Sequence, residues 1–291
     1  MPLTAAATNS SPLTDISPFS PAAALHAIDR RPDRRLSQTF LCEAGVARAM
    51  VAVAGIASHD QVLEIGPGLG MLTRELVRTG ARVVAVELDR TLAEALPGAL
   101  RNPENLRVVH ADALQTDVAE LVEEPFTVVA NLPYHVATPL LFKLAFRRPR
   151  PRRIVAMVQQ EVAQRIVGRG ANADFLSVAF GLMAESKIVR RVSPGCFFPM
   201  PKVQSAVLRL DLLSEPRVEV DPVERFLDFL HAGFAQPRKQ LHNSLGDGLG
   251  IDPVEVQEAA RRASINPTSR PGALSLGDWV SLYRAVRGSD G

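Results

Sequence analysis

An amide, a backbone carbonyl, a proline and a phenol occupy four consecutive positions, Asn131, Leu132, Pro133 and Tyr134, directly after the apolar run FTVVA at 126–130. Packing alone does not ask for this order. Proline ends a strand's hydrogen-bond ladder and stiffens the turn. Two carbonyl oxygens and an aromatic face are then held at one point. Such a set suits a flat nitrogenous ring, with acceptors for its N–H bonds and a stacking surface typically worth ~1–3 kcal/mol. The plainer alternative is a capping asparagine beside a packed tyrosine. Residues upstream decide between the two.

The stretch VLEIGPGLGMLTREL places Gly66, Gly68 and Gly70 between a strand-like and a helix-like run. Glycine lets the backbone approach a ligand, and a helix start presents unbonded N–H groups. Position 71 is Met, so the dinucleotide fingerprint is not met, and no G-K-[ST] follows to grip phosphate. Glu87 closes the next strand-like run, where a carboxylate accepts both hydroxyls of a ribose. Asp112 follows the run after that, where a carboxylate can accept from an adenine amino group. Each acid alone reads as a solvated strand end. At the carboxyl ends of successive parallel strands they outline an adenosine-shaped slot. S-adenosylmethionine fits that slot better than NAD.

Beside such a slot, Asn131–Tyr134 acquire a chemistry: methyl transfer to the exocyclic amine of an adenine. That amine is a poor nucleophile because its lone pair is delocalised into the ring. The side-chain carbonyl of Asn131 and the backbone carbonyl of Leu132 accept its N–H bonds. They draw the nitrogen toward a tetrahedral shape and stabilise the charge that develops. Pro133 keeps both acceptors in aim and Tyr134 stacks on the base. No strong base is needed, because the proton can leave to water.

The elements that must position these residues are legible as alternating patterns. QVLEI (61–65), ARVVAV (81–86), LRVVH (106–110), FTVVA (126–130) and RIVAMVQ (153–159) are short Val/Ile-rich runs, with helical stretches such as MLTRELVRTG and TPLLFKLAF between them. Alternation of this kind predicts an α/β fold, a parallel sheet covered on both faces. KIVRRV (187–192) and SAVLRLDLL (205–213) complete a sheet of about seven strands. Beyond LSEPRVEVDP four amphipathic helical patterns follow without strands. Asp-Pro at 221–222 and 252–253 predicts an N-cap followed by proline at the first helical position. The division expected is a disordered tail over 1–33, rich in Ala, Ser, Pro and Thr, an α/β domain over 34–213 and a small all-helical domain over 214–291.

Bulk properties narrow the classes. The chain of 291 residues has 33 Lys and Arg against 31 Asp and Glu, a balance that selects no partner by itself. Cys42 and Cys196 form neither a ligand nor a disulfide spacing and suit a reducing compartment. No run approaches the ~20 apolar residues of a membrane span, and the first 33 residues lack the apolar core of a secretory signal. The expected location is the cytoplasm.

The ordered set resembles the ribosomal RNA adenine N6-dimethyltransferases, most closely the small-subunit type, across nearly all of residues 34–287. RLSQTFL (35–41) is similar to the family's G-Q-N-F-L segment, and EIGPGLG, VELD and HADA to its cofactor motifs. CFFPMPKVQSAVLRL (196–210) resembles F-x-P-x-P-K-V-x-S, RKQLHNSLG (238–246) an R-(R)K-x-L-x-N-S-L helix, and SRPGALSLGDWVSLYRAV the C-terminal pattern. The resemblance implies a Rossmann-like class I S-adenosylmethionine-dependent methyltransferase sheet with a helical RNA-binding domain, monomeric, dimethylating two adjacent adenines in the 3′-terminal hairpin of small-subunit rRNA during subunit biogenesis. It implies cofactor contacts at Gln38, Thr39, Leu41, Gly66, Gly68, Glu87, Asp112 and Asn131, and a target adenine held between Tyr134 and Phe197 rather than Phe198. The chain departs from the family at Ser37 (usually Gly), Thr39 (usually Asn) and His135 (commonly Asn). Two alternatives share the fold: a large-subunit rRNA dimethyltransferase of the macrolide-resistance type, and a non-catalytic assembly factor.

RNA contacts are expected at local basic patches, with one base splayed into the pocket. FRRPRPRR (146–153) holds five arginines in a loop that prolines keep from becoming a helix; near the substrate face it could grip phosphates. Arg238 and Lys239 are further candidates.

Overall fold

The structure, a computed structural model, describes residues 20–33, 38–170 and 173–288. It opens with α1 (Pro21–Ala27), β1 (Phe40–Leu41) and α2 (Ala44–Ala54). Strand and helix then alternate through β2 (Gln61–Ile65), α3 (Met71–Val77), β3 (Arg82–Glu87), α4 (Arg90–Ala99), β4 (Leu106–His110), β5 (Thr127–Asn131), α5 (Ala137–Phe146) and β6 (Arg153–Gln159). Two helices, α6 (Gln160–Val167) and α7 (Phe175–Met183), precede β7 (Ala184–Val192), β8 (Phe197–Phe198) and β9 (Ser205–Leu212). The C-terminal helices are α8 (Val223–Phe234), α9 (Leu241–Leu249), α10 (Pro253–Arg262) and α11 (Leu276–Arg287).

Seven strands form one sheet in the order β4-β3-β2-β5-β6-β9-β7. The five from β4 to β6 are parallel, as the alternation predicts. The last two differ: β9 runs antiparallel to both β6 and β7. No α-helix separates β7 from β9, only a single 3-10 turn (Pro194–Cys196) and β8, so the chain turns back locally, which antiparallel pairing permits and parallel pairing does not.

The central strands are buried over most of their length and mostly apolar there, because both faces are covered. Val128 and Ala130 of β5 pack with α5, α6 and α7, while Val129 points into the opposite cluster with Met50 of α2 and Leu72 of α3. α7 is shared between two cores. Phe180 packs against the sheet, whereas Val178, Leu182 and Met183 join the cluster of α8–α11 around the fully buried Trp279. Gly233 of α8 is required there, since a Cβ at that position would lie 2.4 Å from the Trp279 ring.

The tail expected over 1–33 needs correction for its last part; residues 1–19 lie outside the described residues. Ser20 caps α1, Leu25 is buried against Phe40 and Leu92, and Arg30 is ion-paired with Asp89. An apolar anchor flanked by a charge pair gives this short segment a docking site that its Ala- and Pro-rich composition did not reveal. The Asp-Pro signals also divide. Asp252 caps α10 with Pro253 in its first turn, as expected. At 221–222 the helix starts one residue later, with Pro222 extended (φ −74°, ψ 149°) in the cap position and no side-chain cap.

Candidate active site

Strand polarity brings the chemistry-bearing residues together. The carboxyl ends of β2, β3 and β5 lie side by side, so the turns that follow them border one cavity. Of the expected cofactor contacts, Gln38, Thr39, Leu41, Gly66, Gly68, Glu87, Asp112 and Asn131 all line it, together with Leu132, Pro133 and His135. The Ser37 departure lies outside the described residues.

The glycine turn works through its backbone. Gly66, Gly68 and Gly70 have φ of 67°, 55° and 79°, a region that L side chains rarely adopt. At Gly68 a Cβ would stand 3.0 Å from the Phe40 ring, and at Gly70 2.5 Å from Leu96. The Gly68 N–H donates to Glu87 Oε2 at 3.0 Å, and the Asp89 N–H to Glu87 Oε1 at 2.9 Å. Two donors thus fix the Glu87 carboxylate, and each oxygen keeps a second lone pair. Burial raises its pKa, and the two N–H groups oppose that rise. Asp112 closes a tight turn by accepting from the Leu114 N–H at 2.8 Å. Gln38 accepts the Asp33 N–H at 2.9 Å, tying the strap after α1 to the cavity wall.

The expected pair of carbonyls occupies the end of β5. Asn131 Nδ2 donates to the Thr39 carbonyl at 3.4 Å, which turns Oδ1 away as the acceptor. Thr39 meets Asn131 through its backbone carbonyl, which does not depend on the side chain at this position. The Leu132 N–H is tied to Met157 O at 3.1 Å, which fixes the peptide plane on one side. Tyr134 is half-buried, and its hydroxyl shares a 2.6 Å hydrogen bond with Ser205 Oγ. Burial raises the phenol's pKa, and the serine bond pulls it back. Phe197 pairs with Leu41 across β1 and β8 and is only 4% exposed, packed in the α2/α3 cluster. Phe198 is 37% exposed.

Three residues escaped the sequence reading. Glu64 of β2 lines the cavity, is 1% exposed, and neither carboxylate oxygen has a hydrogen-bond partner. Burial pushes its pKa up to about 8; the Thr73 hydroxyl, close by but outside hydrogen-bond geometry, opposes the rise and the nearby Glu87 carboxylate reinforces it. Its signal was available: a carboxylate inside the otherwise buried strand QVLEI. Lys143 of α5 donates to the carbonyls of Ala113, Leu114 and Thr116 at 2.9, 2.9 and 2.5 Å, pinning the Asp112 turn to the helix after Asn131–Tyr134. Ser205, the partner of Tyr134, closes the F-x-P-x-P-K-V-x-S segment, which marked the residue but not its contact.

The arginine loop is a correction. It precedes β6, and in a parallel sheet the amino ends of the strands face away from the cavity. Its arginines bind acids at that opposite end: Arg152 pairs with Asp60 at 2.7 Å, Arg153, the first residue of β6, with Asp211 of β9 at 2.5 Å, and Arg148 lies 3.8 Å from Glu124 and 3.7 Å from Glu215. Lys239 is paired with Asp247 at 3.1 Å, while Arg238 is exposed.

Among known proteins, the sequence model described as ribosomal RNA adenine dimethylase matches residues 30–287. A ribosomal RNA small subunit methyltransferase A from Syntrophotalea carbinolica is 40% identical over 264 residues, covering 89% of this chain and 98% of its own length. Its namesake from Clostridium botulinum (strain Langeland) is 38% identical over 258 residues, covering 87% and 94%. The solved 23S rRNA methyltransferase ErmE is 27% identical with a TM-score of 0.66, covering 85% of this chain and 99% of its own. A dimethyladenosine transferase from Plasmodium falciparum has a TM-score of 0.73, covering 86% and 98%; at 23% identity it speaks for the fold alone.

Proposed function

The chain belongs to the ribosomal RNA adenine dimethylase family, and from that membership we propose that it dimethylates N6 of two adjacent adenines near the 3′ end of small-subunit rRNA, using S-adenosylmethionine. Its mixed seven-stranded sheet with flanking helices is the Rossmann-like methyltransferase fold. It is an rRNA adenine dimethyltransferase, and the relatives named for the small subunit outweigh the resistance-type alternative. The finer reading is a monomer acting in the cytoplasm on the immature small subunit.

One observation carries the reading: Asn131 and Leu132 line the same cavity as the Glu87 carboxylate and the glycine turn. The cavity's donor set fits the cofactor. Glu64 is a buried carboxylate without a partner, suited to the cationic amino group of a methionine moiety. Glu87 and Asp112 offer acceptors for ribose hydroxyls and an adenine amine. When bound, S-adenosylmethionine supplies a methyl carbon made electrophilic by its sulfonium. Asn131 Oδ1 and the Leu132 carbonyl accept the N–H bonds of the target amine and offset the positive charge that grows on it. Tyr134, with Phe197 as its proposed partner, holds the ring flat. The proton is lost to water.

The test is transfer of labelled methyl groups to small subunits lacking the modification, with mapping of the modified nucleotides. Dimethyladenine at two adjacent positions near the 3′ end, abolished in Asn131→Ala, is the expected result. Label confined to large-subunit rRNA would move the chain to the other branch. Cofactor binding without transfer would leave an assembly factor.

A further inference from the structure

Of the six large apolar side chains exposed among the described residues, three fall on one short loop: Phe198, Met200 and Val203, at 37%, 71% and 43%. Exposed apolar side chains gathered in one place mark a surface that meets a partner. The loop is anchored at both ends. Phe198 pairs with Phe40 across β1 and β8, and Ser205, opposite Gln159 of β6, holds the Tyr134 hydroxyl. Because β9 runs antiparallel to β6, its amino end lies at the carboxyl end of the parallel strands, the end that carries the cavity. Two exposed cations flank the apolar tip: Lys202 within the loop, and Arg191 at the end of the neighbouring β7.

We propose that the loop from Phe198 to Gln204 is a wedge for RNA: Met200 and Val203 occupy the space beside the target adenine and cover the neighbouring base exposed when that adenine leaves the stack, while Lys202 and Arg191 hold adjacent phosphates. The inference rests on the adenine-directed reading above and names the step that delivers the base to Asn131 and Tyr134. Taking a base out of a stack requires a replacement surface, and apolar side chains inserted between bases serve as one. An apolar tip between two cations matches a base flanked by phosphates.

The test uses the full chain on small ribosomal subunits lacking the modification. In the double variant Met200→Ala/Val203→Ala, the single-turnover rate at saturating subunits falls roughly tenfold, the loss of about one stacking contact. Its affinities for subunits and S-adenosylmethionine stay within about twofold, because the side chains act after docking; its melting point holds because they are exposed. In Lys202→Ala/Arg191→Ala, subunit affinity drops, and the salt dependence of binding becomes shallower by about one unit per lost phosphate contact. Loss of subunit affinity in the apolar variant with a normal saturated rate would make the loop a docking patch and overturn the wedge. An unchanged rate and affinity would overturn it too. A wild-type chain that binds cofactor and subunits but transfers nothing would remove the proposed activity itself, a distinct result.

Discussion

Tyr134 and Ser205, 71 residues apart in the chain, share a hydrogen bond of 2.6 Å between their hydroxyls. It joins the turn after β5 to the first residue of β9 and fixes the plane of the ring. Ser205→Ala and Tyr134→Phe should each lower kcat/KM about three- to tenfold, the value of one hydrogen bond. Combined, they should cost little more than either alone, because one bond is lost in all three variants. Additive losses would show that the two hydroxyls act separately.

Phe197 is buried while Phe198 is open, which separates stacking from packing. Phe197→Ala should destabilise the fold by about 3–5 kcal/mol, as large-to-small core changes do. Phe197→Leu should keep most of that stability yet lower the rate more than Phe198→Ala, if Phe197 faces the target base. The reverse order of rates would give the stacking role to Phe198.

Asn131 Nδ2 reaches the carbonyl of Thr39, not its side chain. Thr39→Ala should therefore keep kcat within about twofold, while Asn131→Ala should lose about 10²–10³, as removal of a transition-state hydrogen-bonding group does. Steady-state methylation of both variants measures this. A large loss in Thr39→Ala would mean that the hydroxyl itself contacts a substrate.

Glu64 sets a pH dependence. Its pKa rises from an ordinary 4.5 to about 8 in the fold. Between those values the folded chain keeps a proton that the unfolded chain has released, so this group's contribution makes stability fall as pH rises. Glu64→Gln does not titrate there. Its melting temperature relative to the wild type should therefore climb between pH 5 and pH 8. A difference that stays constant with pH would mean that Glu64 is ionised in the fold.

Arg148 and Arg150 sit at the amino ends of the parallel strands, on the side away from the cavity. Arg148→Ala/Arg150→Ala should bind small subunits with unchanged affinity and salt dependence. A reduced salt slope would show that RNA reaches this end of the sheet.

The sequence by itself determined the local chemistry and the class of fold. QVLEI, LRVVH and RIVAMVQ became strands at their expected limits. β2 and β6 are central and covered on both faces, which writes them as mostly apolar runs, while the edge strand β4 was legible from its Val-rich core. The glycines, Glu87, Asp112 and Asn131 were legible because parallel alternation sends every such turn to the same end. Tertiary structure alone decided contacts between distant segments. Among them are the Thr39 carbonyl under Asn131, Ser205 on Tyr134, Lys143 beneath the Asp112 turn, and the docking of Leu25 and Arg30. Side-chain and backbone partners 15 to 92 residues apart leave no periodicity in the chain. The arginine loop was misread for a related reason: its composition shows charge, but only the direction of β6 shows which end of the sheet that charge occupies.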